Sequence, residues 1–144
     1  MLLDEFFSEV KERIESDFNS YLEDLEMDRV KEITEEFNFV DCSPLTMAVF
    51  PSVTSGETIS STDGGITVST TIAFYVNDEY GTESNALTFR YFDAFVSWFR
   101  INNPLFSSYD TIDNAVLLRM NENCDFNGFV IELKSRIYTE MDYT

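Results

Sequence analysis

Ile66-Thr67-Val68-Ser69-Thr70-Thr71-Ile72-Ala73-Phe74-Tyr75-Val76 is the stretch on which the fold turns. Ile66, Val68, Ile72, Phe74 and Val76 alternate with Thr67, Ser69, Thr71, Ala73 and Tyr75. That period of two sends successive side chains to opposite faces of a strand, and the β-branched content suits a pleated, half-buried surface. Asp63-Gly64-Gly65 turns the chain into this strand, and Asn77–Gly81 stops it. Upstream, Leu45–Phe50 reads as a shorter strand after Pro44. The Ser-, Thr- and Gly-rich stretch Ser52–Gly65 has no apolar period and reads as a long hairpin loop.

Downstream the period changes. Thr82 or Ser84 is placed to cap a helix, with Glu83 favourable in its first turn. The helix expected over Asn85–Asn102 is apolar nearly all round, at Leu87, Phe89, Tyr91, Phe92, Phe95, Val96, Trp98, Phe99 and Ile101. Such a helix must be covered on more than one side, and one sheet covers only one. Either the N-terminal helix or a neighbouring subunit supplies the rest. Leu87, Tyr91 and Phe95 read as core, while Phe92 and Phe99 are open to core or subunit interface. Two strands close the chain: a short apolar one at Ala115–Met120, and one in which Phe129, Ile131, Leu133, Ile137 and Met141 face inward. Glu132, Lys134 and Arg136 alternate with these and give a sheet face or edge of mixed charge. Asn127-Gly128 reads as the turn signal between the two strands.

The N-terminal segment is different again. Leu3, Phe6, Phe7, Val10, Ile14, Phe18, Tyr21, Leu22 and Leu25 recur at steps of three and four, the stripe of an amphipathic helix. The phase slips near Glu26–Asp28. Val30, Ile33 and Phe37 are themselves helically spaced but do not continue the stripe, which a break or a second helix explains. Residues 1–41 hold much of the acid, including Glu5, Glu9, Glu12, Asp17, Glu23 and Asp24. These elements define a single α+β domain over 1–144. It has a mostly antiparallel sheet, one or two N-terminal helices in an acidic segment (1–41), and a central helix packed on the sheet of the 42–144 core.

Charge bounds the function. The 144 residues carry 27 Asp and Glu against 9 Lys and Arg, a formal charge of −18, with no histidine. Nucleic-acid binding takes cations to displace phosphate counterions, so this chain repels DNA unless it imitates it. Aromatics at 15% and hydrophobics at 44% separate it from disordered acidic tails. The lack of imidazole removes Ser–His and Cys–His catalysis, and no glycine-rich phosphate cradle occurs. Cys42 and Cys124 have neither C-x-x-C spacing nor histidine partners, and read as reduced thiols. Asp24, Glu26, Asp28 and Glu35 fall at positions 1, 3, 5 and 12 of a calcium loop, but Arg29 stands where that loop needs glycine. The reading is therefore a solvated acidic face, with no cofactor and no metal. Met1–Glu5 does not open a signal peptide, and no apolar run reaches membrane-span length, so an intracellular soluble product without membrane contact is expected.

In element order the chain resembles the tail-terminator, or tail-completion, proteins of long-tailed bacteriophages. The resemblance rests on Leu45-Thr46-Met47-Ala48-Val49-Phe50-Pro51, the alternating Ile66–Val76 strand, the Thr82–Asn102 helix and the closing strand Gly128–Met141, whose end is Arg136-Ile137-Tyr138-Thr139-Glu140-Met141. It implies a non-enzymatic virion protein assembled in the host cytoplasm. Its subunits would form a ring between tail tube and head connector, with DNA passing through an acidic bore it does not bind. On that reading Phe92, Val96 and Phe99 serve subunit packing, with Glu132, Lys134 and Arg136 on an exposed face. Thr54, Glu57, Ile59 and Asp63 lie in a loop that meets the adjacent ring. The alternative from another class is a DNA-mimic inhibitor of a nuclease or anti-phage effector, in which Glu5, Glu9, Glu12, Asp17, Glu23 and Asp24 stand in for phosphates. A weaker third is an immunity or adaptor protein for a basic partner.

Overall fold

The computed structural model describes residues 3–35, 43–52, 65–103 and 109–138. It is α+β: a five-stranded sheet of order β1-β2-β3-β5-β4 carries all the described helices on one face. The strands are β1 (Glu32–Thr34), β2 (Thr46–Ser52), β3 (Gly65–Asn77), β4 (Tyr109–Leu118) and β5 (Asn127–Tyr138). Every pairing among them is antiparallel except β1 with β2. The alternating stretch is β3, the centre of the sheet.

Register explains which side of the sheet is covered. Residues directly opposite share a face, so Met47, Phe74, Phe129 and Leu117 form one row. Val49, Ile72, Ile131 and Ala115 form the next. The inner members of these rows, with Val68 of β3 and Leu133 of β5, are buried beneath the helices. On the other face lie Ala73, Thr71, Val130, Glu132 and Lys134, and there Tyr75 stacks on Phe126 at 4.9 Å and 8°. Gly128 is obligatory at its crossing: a Cβ there would lie 1.9 Å from the Phe74 carbonyl oxygen.

The N-terminal helical rod runs through α1 (Leu3–Arg13), a π-helical turn (Ile14–Phe18) and α2 (Asn19–Asp24). Its fully buried stripe is Phe6, Val10, Ile14, Phe18 and Leu22, each four residues from the last. Steps of four overshoot an α-helical turn by about 40° each, so such a stripe would wind off the core. A wider π turn midway brings Ile14 and Phe18 back into line. Leu25, placed on the stripe by its spacing, is 46% exposed because the rod ends before it.

No second helix follows the rod before β1 among the described residues. Met27 N–H donates to the Leu22 carbonyl (2.9 Å) and Glu26 N–H to that of Glu23 (3.0 Å), with Glu26 at φ 57°. These paired bonds terminate a helix, normally with glycine at the left-handed position. The chain then runs out to β1, whose Ile33 pairs with Met47. The helical spacing of Val30 and Ile33 was therefore misleading. A buried side chain outweighs it: Asn19 accepts from Val30 N–H at 2.7 Å and holds the segment extended.

The central helix α3 (Thr82–Ile101) starts three residues earlier than its spacing suggests. Its N-cap is Gly81 at φ 128°, with no side-chain cap hydrogen bond, so neither Thr82 nor Ser84 caps it. It lies over β3 and β5 and meets the rod through aromatic contacts, with Phe18 5.3 Å from Phe95 and 5.2 Å from Trp98. The rod and one side of α3 thus cover each other, answering half of the question its apolar girth raised.

Candidate functional site

α3 has a second apolar side, and it faces away from the rod. Phe92 and Val96 are half-buried there and Phe89 is 51% exposed, whereas Ile101, 71% exposed at the helix end, lies on the opposite side of the helix. Phe92 stands on Phe129 in a T-shaped pair at 5.5 Å, and Leu117 is the register partner of Phe129 on the same face. Leu117 is 45% exposed, and Ala115 beside it is exposed too. The outer stripe of α3 and the helix-side face of β4 therefore form an apolar step at one margin of the molecule. On that face of β4, Ile112 is the hydrophobic residue packed against the core among the described residues, and Asp110 is buried.

The residues expected to pack subunits divide along this line. Phe92 and Val96 belong to the half-buried outer stripe. Phe99 does not: it is 4% exposed and sits inside the domain's own core. Phe89, read only as one residue of the apolar girth, is the ring this surface actually presents. Exposure of one aromatic among many on a helix carries no sequence signal, because which side the rod covers is decided by tertiary packing.

Among the described residues β4 is an edge of the sheet. It is longer than its apolar core suggests, ten residues from Tyr109 to Leu118, with a bulge between Ile112 and Asn114. Val116 on its open face is 47% exposed. The opposite edge is the three-residue β1, beside which Lys11 of α1 pairs with Glu35. That ammonium holds the Glu35 carboxyl below its ordinary range by hydrogen bonding and by charge. Glu132 and Lys134 lie on the open face of β5, half-exposed, with Lys134 3.7 Å from Asp113. β5 is an inner strand, so these residues mark a face and no edge; Arg136 belongs to the same strand through its pairing with Tyr109. Asn127 and Gly128 open β5 and do not form its turn, which runs through the bridged pair Asn121 and Cys124. Asn127 instead ties the strand ends together, donating to Asn77 Oδ1 and the Glu79 carbonyl at 2.7 Å each.

The acidic residues are spread along the rod. Glu5, Glu12 and Asp24 are exposed. Glu9 and Asp17 share Arg13, at 3.8 and 3.3 Å, and Glu23 faces Arg29 at 3.9 Å. The calcium-loop residues do not converge, since the helix ends at Asp24 and Glu35 is drawn to Lys11. Among the described residues no three His, Cys, Asp or Glu side chains are grouped to hold a metal ion.

An open cleft of about 580 Å³ lies between the Glu26–Lys31 segment and the start of α3. Glu26, Asp28, Asp78, Glu79 and Glu83 line it with Lys31, Arg90 and Tyr91. The Tyr91 hydroxyl donates to the Asp28 carbonyl at 2.7 Å. Burial first, then the Asp28 charge, pushes its pKa up to about 12, so it is a neutral donor tying α3 to this segment. Cys124 is a free thiol that donates to the Phe126 carbonyl at 3.2 Å. Thr54, Glu57, Ile59, Asp63 and Cys42 lie outside the described residues. Among the described residues no helix is long and apolar enough to cross a membrane. No known protein family, curated protein or solved structure matches the chain.

Proposed function

We propose that this chain is a structural, non-enzymatic subunit of a bacteriophage head–tail junction, forming a ring that ends the tail tube and meets the head connector. The observation that carries the reading is the outer stripe of α3, where Phe89 is exposed and Phe92 and Val96 are only half-buried, leaving apolar surface that the subunit's own core does not cover. Exposed apolar patches of this kind mark association sites. A charge of −18 around such a patch disfavours contact between copies through the acidic remainder of the surface. The same charge suits a passage through which DNA moves without adhering. On this reading the protein resides in the virion after assembly in the host cytoplasm.

The test is light scattering coupled to size exclusion, together with sedimentation against purified tail tubes. The reading expects a ring-sized species or tube-bound protein, and its loss on Phe89→Asp with the melting temperature unchanged. A protein that stays monomeric and ignores tail tubes overturns it. DNA mimicry is less well supported by the rod, because Arg13 interrupts the acids at Glu9 and Asp17.

A further inference from the structure

We propose that the free-edge side of β4, adjoining the α3 stripe, is a further association site, and that its occupant is the β4 strand of another copy of this chain, paired antiparallel about Val116. This goes beyond the ring reading and does not rest on it. A ring needs head-to-tail contacts, whereas like edges meeting antiparallel close on a two-fold axis in pairs.

The two margins of the sheet differ in a way that selects β4. An edge strand presents a row of backbone donors and acceptors ready to pair with another chain, and short edges are one way of blunting that tendency. β1 is three residues long, while β4 is ten. The centre of β4 also carries apolar side chains on both faces, Val116 on one and Leu117 on the other, each close to half-exposed. Apolar groups on both sides of a free ladder are what a continued sheet would cover.

Charge then selects the partner. The chain as a whole attracts basic molecules, yet this margin is balanced. Along β4 to Arg119 and on β5, the solvent-accessible acids Asp113 and Glu132 are matched in number by Arg119 and Lys134, Asp110 being buried. A basic partner gains nothing here over the rest of the surface. A second copy, repelled elsewhere, meets no net charge at this margin. Pairing about Val116 is confined to Asn114–Leu118, the stretch between the bulge and the end of the strand. The same register puts Ala115 opposite Leu117 twice and Val116 opposite itself. Cross-strand pairs of these kinds stabilise a sheet.

Three measurements on the full chain test this. Sedimentation equilibrium at about 100 μM should show a dimer that tightens as salt rises, because screening relieves repulsion between the copies. Val116→Lys should weaken dimerisation by roughly tenfold or more, with circular dichroism and melting unchanged, because the site is exposed. In a Cys42→Ser, Cys124→Ser background, Val116→Cys should form an intermolecular disulfide under mild oxidation, while Thr71→Cys, on the open face of β3, should not. A monomer throughout, a dimer indifferent to Val116→Lys, or no Val116→Cys cross-link overturns the proposal. So does an edge that captures a basic peptide with affinity falling in salt. Phe89→Asp reads the ring separately: an assembly lost there and kept in Val116→Lys supports the ring and counts against the strand pairing.

Discussion

Asn19 holds Val30 by both of its backbone groups: its Oδ1 accepts from the Val30 N–H at 2.7 Å, and its Nδ2 donates to the Val30 carbonyl at 3.4 Å. Nδ2 also reaches the Glu15 carbonyl at 2.9 Å, where the π turn leaves the helical ladder displaced. One side chain thus fastens the strand-bound segment to the rod. Asn19→Ala leaves the buried Val30 N–H without that acceptor and should cost about 2–3 kcal/mol, read as a lower urea midpoint with unchanged slope.

Glu26 adopts a left-handed backbone, φ 57°, without the freedom glycine has there. Glu26→Gly should therefore stabilise the protein by about 0.5–1 kcal/mol, raising the melting temperature by roughly 2 °C. A fall in melting temperature would mean that the Glu26 side chain contributes more than its conformation costs.

Thr70 Oγ1 and Ser135 Oγ are buried without a hydrogen-bond partner among the described residues, on the helix-covered face of β3 and β5. Removing an unsatisfied hydroxyl while keeping the shape relieves its desolvation penalty. Thr70→Val should gain about 1 kcal/mol by thermal or chemical denaturation.

Tyr91 gives the protein a pH dependence at the alkaline end. Its folded pKa, about 12, lies above the ordinary value of 10.0, so the neutral phenol favours the folded state. That contribution is complete below pH 10 and is lost as pH rises through 12, amounting to roughly 2 kcal/mol. Tyr91→Phe should destabilise the protein near neutral pH by about 1 kcal/mol. Because the variant cannot ionise there, the gap to the native protein should narrow or reverse by about pH 12. Parallel alkaline melts of the two proteins check this.

Much of the fold was legible because its strongest signals are local. The alternation of Ile66–Val76 marked β3, the apolar girth of Leu87–Ile101 marked α3, and the alternating closing residues marked β5. What escaped was decided by contacts distant in sequence. β1 could not be read from Val30 and Ile33, whose spacing is helical, because Asn19 and β2 determine their conformation. The helix stop at Glu26 lacked the glycine that usually announces it. Of the candidate surface, Phe92 and Val96 were named from helical phase, and both are half-buried. Phe99 was misplaced and Phe89 passed over because only the docking of the rod, through Phe18, distinguishes the sides of α3. Tyr109–Asn114 carried too much polar sequence to be read as strand, though β5 pairs with nearly all of it.

The inequality of the two sheet margins limits how far such a molecule can polymerise. Whatever joins along the long side meets, among the described residues, a strand of three on the far side, too brief to template another addition. Strand-by-strand growth therefore ends after a single step, and fibre formation is disfavoured by architecture, independently of solubility.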